Sequence, residues 1–468
     1  MKRHICLLAF ALMALSPYVS QAQMAQRITF DDAIRLALDN NSSLKRAANT
    51  VRQQEINLSA GRAAILPSLN FSSGTSRNFG LNFDQTTGNV YTQSSDRFNL
   101  GASMGVTLFN GFREFSGLRQ LRHGLAASDD SFERQRQLVV FQVMTQYLGL
   151  IQRSEQIKIQ GENLAAQQQQ LAQIEEFVRV GSRPMSDLYQ QQYVTENAEL
   201  LLLEAQQSYQ VSEGNLIQTL QLDPFGVYEF VVPDESEITL TPEAYDINAL
   251  LRSAFDRRVD LRAQESMIRA SEQGLRFARG GMWPRVSLSG SAGSGYSSFQ
   301  QRAVIENGVP VLGPDGRPMF EEVPFGDQLS NNRSQTVSLS VQVPLFNGLR
   351  TRSDVQRARV NLDNARLELE NVQHQIGLEV RESYLAYLSD EKRLAVTEKQ
   401  LQSAELALEA EQERYNVGAS TLVELTQARA AFVQAASNRA DAKFSFIFRK
   451  RLIDYYVGVL DPGAPLFE

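Results

Sequence analysis

Two carboxylates occupy matching places far apart in this 468-residue chain. Asp187 stands six residues after Gly181, and Glu424 stands six residues after Gly418. The surrounding segments, EFVRVGSRPMSDL at 176–188 and ERYNVGASTLVEL at 413–425, align at a constant shift of 237 positions. Local chemistry gives both acids a use. Thr421-x-x-Glu424 reads as a capping box, and a carboxylate near a helix start is favoured by the partial positive charge of the unpaired backbone N–H groups there. Reactive chemistry is missing from the rest of the chain. There is no HExxH, no nucleophile elbow and no phosphate loop. GSAGSG at 290–295 is glycine-rich but lies in an alternating, strand-like stretch. His123 and His374 are not equivalent under the shift, and each is a lone residue on a helical segment, which reads as surface. Cys6 is the sole cysteine. The chain is therefore expected to be no enzyme, with no cofactor and no metal site.

The shift of 237 also superposes TLFNGF (107–112) on PLFNGL (344–349). Upstream the shift is 217: ALDNNSSLKRA (37–47) matches AFDRRVDLRAQ (254–264), and Pro67 lands on Pro284. The 20-residue difference places one insertion between about 290 and 335. The chain is a tandem duplication, and each copy predicts a unit that packs beside its twin. The expected parts are a leader at 1–22, a first repeat at 23–245 and a second at 246–468. The first holds a β-hairpin at about 67–109, a long helical hairpin at about 112–222 and a linker at 223–245. The second holds a β-hairpin at about 284–346, a helical hairpin at about 349–457 and a C-terminal tail.

The leader, MKRHICLLAFALMALSPYVSQAQ, has a basic end, an apolar run from Ile5 to Leu15 and a small-x-small cleavage site at Ser20-Gln21-Ala22. That run is too short to span a bilayer and reads as a secretory signal. Its removal takes Cys6 away, leaving no thiol, and moves the formal charge from −7 to −9. An acidic mature chain argues against nucleic acid, whose phosphates require a basic face. No mature segment reaches 18 apolar residues, so entry into a membrane does not proceed through helices.

Two kinds of segment alternate. From about 112 to 179 there is no proline, and Leu150, Ile157, Leu164, Leu171 and Val178 recur every seven residues; their counterparts are Tyr387, Leu394, Leu401, Leu408 and Tyr415. This predicts coiled coil, a rod of roughly 100 Å at ~1.5 Å per residue. Each rod turns after Gly181 or Gly418 into a second helix, at 186–222 and 421–457. Shorter helical stretches precede the strands, helices at about 31–64 and a helix at about 247–281. The other kind alternates with period two: 68–74, 97–109, 284–299 and 335–346 read as four strands in two hairpins. One face is apolar (Phe98, Leu100, Ala102, Met104, Val106 and Leu108 in the second strand), and the other is Ser, Gly, Thr and Asn. Aromatics mark both rims: Phe79, Phe83, Tyr91 and Phe98 at one, Phe109, Phe112, Trp283 and Phe346 at the other. An apolar band between aromatic girdles fits lipid. Four strands cannot close a membrane barrel, for which eight is the fewest, so several chains must share one. Phe109-Asn110-Gly111 and Phe346-Asn347-Gly348 then mark where a strand leaves lipid and turns into a rod, with an aromatic at the interface and glycine at the corner. The inserted stretch 306–327 reads as an exposed Pro/Gly-rich loop with a Pro-Asp-Gly turn.

The duplicated strand exits, together with RYNVGASTLVELTQARA at 414–430, resemble the TolC-type outer membrane efflux channels over essentially the whole mature chain. The resemblance implies a mainly α fold with a membrane β-barrel part. It implies a homotrimer whose four strands per chain would form a twelve-stranded transmembrane barrel and whose helical hairpins would form a coiled-coil α-barrel. A mixed collar would hold residues 223–246 and the chain end after about 457. It further implies an outer membrane location reaching into the periplasm, and a passive exit duct of a tripartite efflux or type I secretion system. The tips at Val180, Gly181, Val417 and Gly418 would dock on a periplasmic adaptor that bridges to an inner membrane pump.

By the same resemblance, Glu424 would project into the periplasmic mouth, with Gln427 where the family carries a second acid. A threefold ring of Glu424 would repel anions and attract cations. Tyr415 and Asp187 hold the places of a link that closes the mouth. A second link uses an arginine where this chain has Ser420, and Arg183 is its candidate substitute. Simple capping and C-terminal turn geometry stand as the local alternatives for these acids and glycines. A periplasmic adaptor would have one coiled-coil hairpin between halves of a β domain. A secreted coiled-coil protein would leave the strands and aromatic rims unexplained.

Overall fold

The computed structural model describes residues 26–83, 88, 90–92, 94–232, 242–314 and 316–459. The leader, part of the linker, Asp315 of the Pro-Asp-Gly turn, and the chain end after 459 lie outside the described residues. The elements run in order as β1 (Gln26–Ile28), α1 (Phe30–Asn40), α2 (Ser42–Ala63), β2 (Ser68–Asn78), β3 (Leu81–Phe83), β4 (Val90–Thr92), β5 (Ser95–Phe109), α3 (Arg113–Arg179), α4 (Met185–Leu220) and β6 (Tyr228–Phe230). Then come α5 (Ile247–Arg257), α6 (Val259–Gly280), β7 (Arg285–Ser297), β8 (Gln301–Ala303), β9 (Ile305–Glu306), β10 (Val309–Pro310), β11 (Phe320–Glu322), α7 (Phe325–Asn331), β12 (Ser334–Gln342), α8 (Arg350–Asn416) and α9 (Leu422–Val457). The duplication shows in matched lengths: 67 residues in α3 and α8, 36 in α4 and α9, 11 in α1 and α5, and 22 in α2 and α6.

The chain forms two compact units, and each draws on both halves of the sequence. Among the described residues, one contains those up to Ala48, within Ser131–Asp260 and from Val372 onward; the other contains those within Asn49–Asp130 and Leu261–Asn371. The first is helical around a core that includes Ile34, Val143, Met144, Leu216 and Phe444. Its small parallel sheet, β1 beside β6, was not legible in the sequence: each strand has three residues, and the partners lie some 200 positions apart. Tyr147 clamps it, with Oη 2.7 Å from Val231 O and 3.1 Å from Ile28 O. In the second half Tyr387 Oη plays a like part, accepting from Glu243 N–H at 2.8 Å and lying 3.1 Å from Glu243 O.

The helical stretch expected at 31–64 is α1 and α2, and the single helix expected at 247–281 is broken into α5 and α6. The breaks are at Asn41 and Arg258, both with extended ψ. Asn41 caps the next helix, its Oδ1 accepting from Ser43 N–H at 2.9 Å, while its Nδ2 donates to Thr219 O. Arg258, only 3% exposed, is held by Asp260 and Glu379, each at 2.5 Å. These partners are distant or polar, so the apolar periodicity runs through both breaks without a sign.

The predicted seven-residue seam is realised best in α8, where Tyr387, Leu394 and Tyr415 are buried. In α3 Leu150 is buried, but towards the tip Leu164, Leu171 and Val178 are only half-buried, and between 152 and 179 the buried positions are Gln160, Gln167, Gln170 and Ile174. One amide pair in that layer is hydrogen-bonded, Gln191 Nε2 donating to Gln167 Oε1 at 2.8 Å.

The second unit carries a four-stranded antiparallel sheet in the order β12-β7-β5-β2. Its register places Leu69 opposite Met104, Met104 opposite Gly290, and Gly290 opposite Val337; likewise Val106 opposite Leu288, and Leu288 opposite Leu339. The apolar residues therefore share one face, and Ser, Gly, Thr and Asn share the other, as expected. β12 stops at Gln342 rather than 346 because Pro344 has no N–H for the ladder. A bulge between Thr107 and Phe109 skips Leu108.

At the strand exits Gly111 and Gly348 have φ of +70° and +64°. The following Phe112 and Leu349 are also left-handed, at +60° and +63°, which the Asn-Gly signal alone did not predict. Asn110 Oδ1 accepts from Arg113 N–H at 3.1 Å and so starts α3. The two glycines differ in their surroundings. A Cβ on Gly111 would meet Gly280 O at 2.4 Å and Trp283 Cβ at 2.7 Å, whereas nothing lies within 4 Å of one on Gly348. Gly348→Ala should therefore cost only the backbone term, roughly 1–2 kcal/mol. Gly111→Ala should cost more and lower the yield of folded protein in outer membrane fractions; equal yields would show that the Gly280 contact gives way.

Candidate functional site

Both helix-hairpin tips are built by the same hydrogen bonds. At the first, Gly181 N–H donates to Val178 O (3.0 Å) and Ser182 N–H to Phe177 O (2.8 Å); at the second, Gly418 N–H donates to Tyr415 O (3.0 Å) and Ala419 N–H to Arg414 O (2.8 Å). This is the Schellman closure, with glycine at the left-handed position, φ +77° and +74°. No neighbouring atom lies within 4 Å of a Cβ at either glycine, so backbone conformation alone selects the residue. Val180 and Val417 stand exposed beside them.

The acids that follow are both third in their helices but are used differently. At α9 the capping box is complete. Glu424 Oε2 accepts from Thr421 N–H at 2.9 Å, from Thr421 Oγ1 at 3.0 Å and from Ser420 Oγ at 2.9 Å, and Thr421 Oγ1 accepts from Glu424 N–H at 3.3 Å. The Thr421 backbone bond first, then the two hydroxyls, hold the exposed Glu424 carboxyl below its ordinary value of 4.5. Ser420, nearly buried, also donates to Glu411, which pairs with Arg414 at 2.9 Å. Glu411 lies nine positions before Ser420 on the far side of the turn, and no local pattern marked it. Gln427 is exposed one turn further along.

At α4 the N-cap is Pro184, which has no side chain to offer the backbone. Asp187 instead pairs with Arg183 at 3.8 Å. The Arg183 guanidinium also lies 4.8 Å from the ring centre of Tyr415, within cation–π range. Arg183 therefore bridges the start of α4 and the end of α8. Tyr415 is buried with Ile174, Leu422 and Leu425. Its hydroxyl and the Gln170 amide nitrogen each lack a well-formed hydrogen bond. Burial pushes the Tyr415 phenol above its ordinary value, offset in part by the Arg183 charge and the Gln170 side chain. The structure thus gathers Arg183, Asp187 and Tyr415 into one cluster and Ser420 with Glu424 into another.

The second site feature is the sheet. β2 and β12 are its edges, and among the described residues neither has a partner on its outer side. The apolar face is open: Leu69 is 75% exposed and Val337 81%. Phe109 packs edge-on against Phe112 at 5.3 Å, and Phe346 is exposed at the matching exit, where Asn347 Nδ2 donates to Thr351 Oγ1. No described helix is long and apolar enough to cross a membrane, and no group of three or more described His, Cys, Asp or Glu residues is placed to hold a metal ion.

Residues 33–220 and 250–446 match the outer membrane efflux protein family. Outer membrane protein TolC of Escherichia coli is 23% identical over 455 residues, spanning 96% of this chain and 85% of TolC. Pyoverdine export outer membrane protein OpmQ of Pseudomonas putida is 24% identical over 497 residues, spanning 95% of this chain and 94% of OpmQ. Among solved structures, the CmeC outer membrane channel of Campylobacter jejuni superposes with a TM-score of 0.77 at 18% identity, over 93% of this chain and 87% of CmeC. The chain shares its fold with that channel, and, with the family's model matched over most of its length, it belongs to the outer membrane efflux protein family.

Proposed function

We propose that three copies of this chain assemble into one passive outer membrane exit duct for efflux or secretion. Each supplies a third of a twelve-stranded barrel and a third of a twelve-helix tube. The observation that carries the trimer is the sheet with two unpartnered edges, since exposed edges are not tolerated in hydrocarbon. Because β2 and β12 run in opposite directions, β12 of one copy can meet β2 of the next in antiparallel register with both apolar faces outward. The helical edges support the same closure: α4 leaves Leu200, Leu203 and Val211 exposed, and α8 leaves Leu378, Leu385 and Val396 exposed. The exposed Val180 and Val417 at the tips provide the docking contacts for a periplasmic adaptor, which links the duct to an inner membrane pump. The duct moves no cargo by itself, and the choice of cargo lies with that pump.

Within this assembly Glu424 supplies a ring of three fixed negative charges at the periplasmic mouth, and the Arg183 bridge holds the two tips of each copy together. Capping and filtering coexist at Glu424, because the carboxylate that caps α9 stays ionised. Its depressed value also sets the pH sense. The capping contribution is present above 4.5 and is lost only as pH falls through the lowered value.

Extraction in detergent should give a species that runs as a trimer in mild sodium dodecyl sulfate and as a monomer after boiling; a water-soluble monomer would end this reading. In planar bilayers Glu424→Gln should weaken cation selectivity while leaving the cap able to form. In the unmodified channel selectivity should persist as pH is lowered to 4.5 and decline below it. Arg183→Ala should raise single-channel conductance, whereas Tyr415→Phe, which keeps the ring that the guanidinium covers, should leave it near the starting level. A rise with Tyr415→Phe as large as that with Arg183→Ala would assign the latch to the hydroxyl instead.

A further inference from the structure

The inserted stretch in the second half is not a plain exposed loop. Its residues form β8 paired with β11, β9 paired with β10, and then α7. They are tied to the sheet in an unusual way. β12 ends opposite Gly293, but β7 continues to Ser297, so four residues of β7 have an edge that no strand covers. α7 covers it with side-chain amides. Gln328 is almost completely buried; its Oε1 accepts from Ser297 N–H at 2.9 Å, and its Nε2 donates to Ser297 O at 3.0 Å and Val323 O at 2.8 Å. Asn332 Nδ2 donates to Gly295 O at 2.7 Å, and Ser294 Oγ donates to Leu329 O at 2.7 Å. Gln328 presents a C=O and an N–H to Ser297 as the next strand's peptide group would. Phe325 completes the seat, 5.1 Å from Tyr296 and 5.6 Å from Phe98.

These bonds lie in the line of the sheet's hydrogen-bond ladder, along the same edge of β7 that β12 occupies lower down. The inserted segment is therefore held at the edge where the sheet must be joined by another copy, and not over the middle of either face. The strand that joins there is β2, whose outer end runs through Asn78 into the β3–β4 ribbon. Both surfaces expose apolar side chains: Ile305, Val309 and Leu312 on the inserted segment, and Phe79, Leu81, Phe83 and Val90 on the other. Lipid reaches the faces of a barrel, but only a neighbouring copy reaches its seam.

We propose that the inserted segment of each copy docks onto the β3–β4 ribbon of the next, bracing the outer rim of the barrel above the β12–β2 seam. Gln328 acts as the positioning residue for this contact, which rests on the trimeric reading above. The insertion belongs only to the second half of the duplication, so the contact is directional and can close a ring of identical copies.

Disulfide trapping in outer membranes tests it, in a Cys6→Ser background that leaves no native thiol. The rim pairs are Leu81→Cys with Val309→Cys, and Phe83→Cys with Leu312→Cys. The seam pair is Leu69→Cys with Val337→Cys. After oxidation and boiling without reductant, rim and seam pairs should both give covalent dimers and trimers. Gln328→Leu should reduce rim cross-linking several-fold and leave seam cross-linking unchanged. Seam products without rim products, or rim pairs that close only within one chain, would overturn the rim contact while the trimer stood. Absence of both kinds of product would overturn the trimer itself. Rim cross-linking indifferent to Gln328→Leu would remove Gln328 from the positioning role.

Discussion

A backbone N–H or C=O left without a partner in hydrocarbon costs several kcal/mol, and a row of them along a strand edge is prohibitive. The sheet of this chain has two such edges, β2 and β12, and an open apolar face between them. Most of the rest of the molecule can be understood as a consequence. The chain does not complete its sheet alone, and in the proposed duct copies of the chain complete it. A ring of copies needs helices whose flanks also complement one another. α4 and α8 leave apolar side chains such as Leu203 and Leu385 exposed, as that assembly would require.

Duplication makes this economical, but the two halves are not interchangeable. At the tips the same Schellman closure recurs almost atom for atom. The acid that follows diverges, because Thr421 offers a hydroxyl to the backbone and Pro184 does not. Glu424 is therefore absorbed into a cap, and Asp187 is free to pair with Arg183. At the strand exits Gly111 is wedged against Gly280 and Trp283, whereas Gly348 is open. At the outer end of the sheet one hairpin continues into a short ribbon and the other into the inserted segment that α7 anchors.

Much of this was legible in the residues. Period-two alternation marked all four long strands and assigned their faces correctly, since side chains in a strand can point only two ways. Heptads marked the long helices, and Val-Gly marked their turns. The capping box at Thr421 was readable because its two partners are three residues apart. What was missed depended on partners far away in sequence. The break at Arg258 depends on Glu379, the sheet β1–β6 on segments 200 residues apart, and the Arg183 bridge on the ring of Tyr415. The buried glutamine layer in α3 was hidden for another reason: an amide in a packed seam has the same identity as one in water, and only its bonding partner distinguishes them.

By itself, then, the amino-acid order determined local conformation, the duplication, and the need for more strands than one chain contains. These follow from backbone stereochemistry, repeat spacing and the impossibility of an open edge in lipid. Only the tertiary structure decided which charges are occupied and which remain available, where Gln328 stands in for a missing strand, and which end of each hairpin carries an apolar surface. Those outcomes depend on distances between residues that the chain brings together only when it folds.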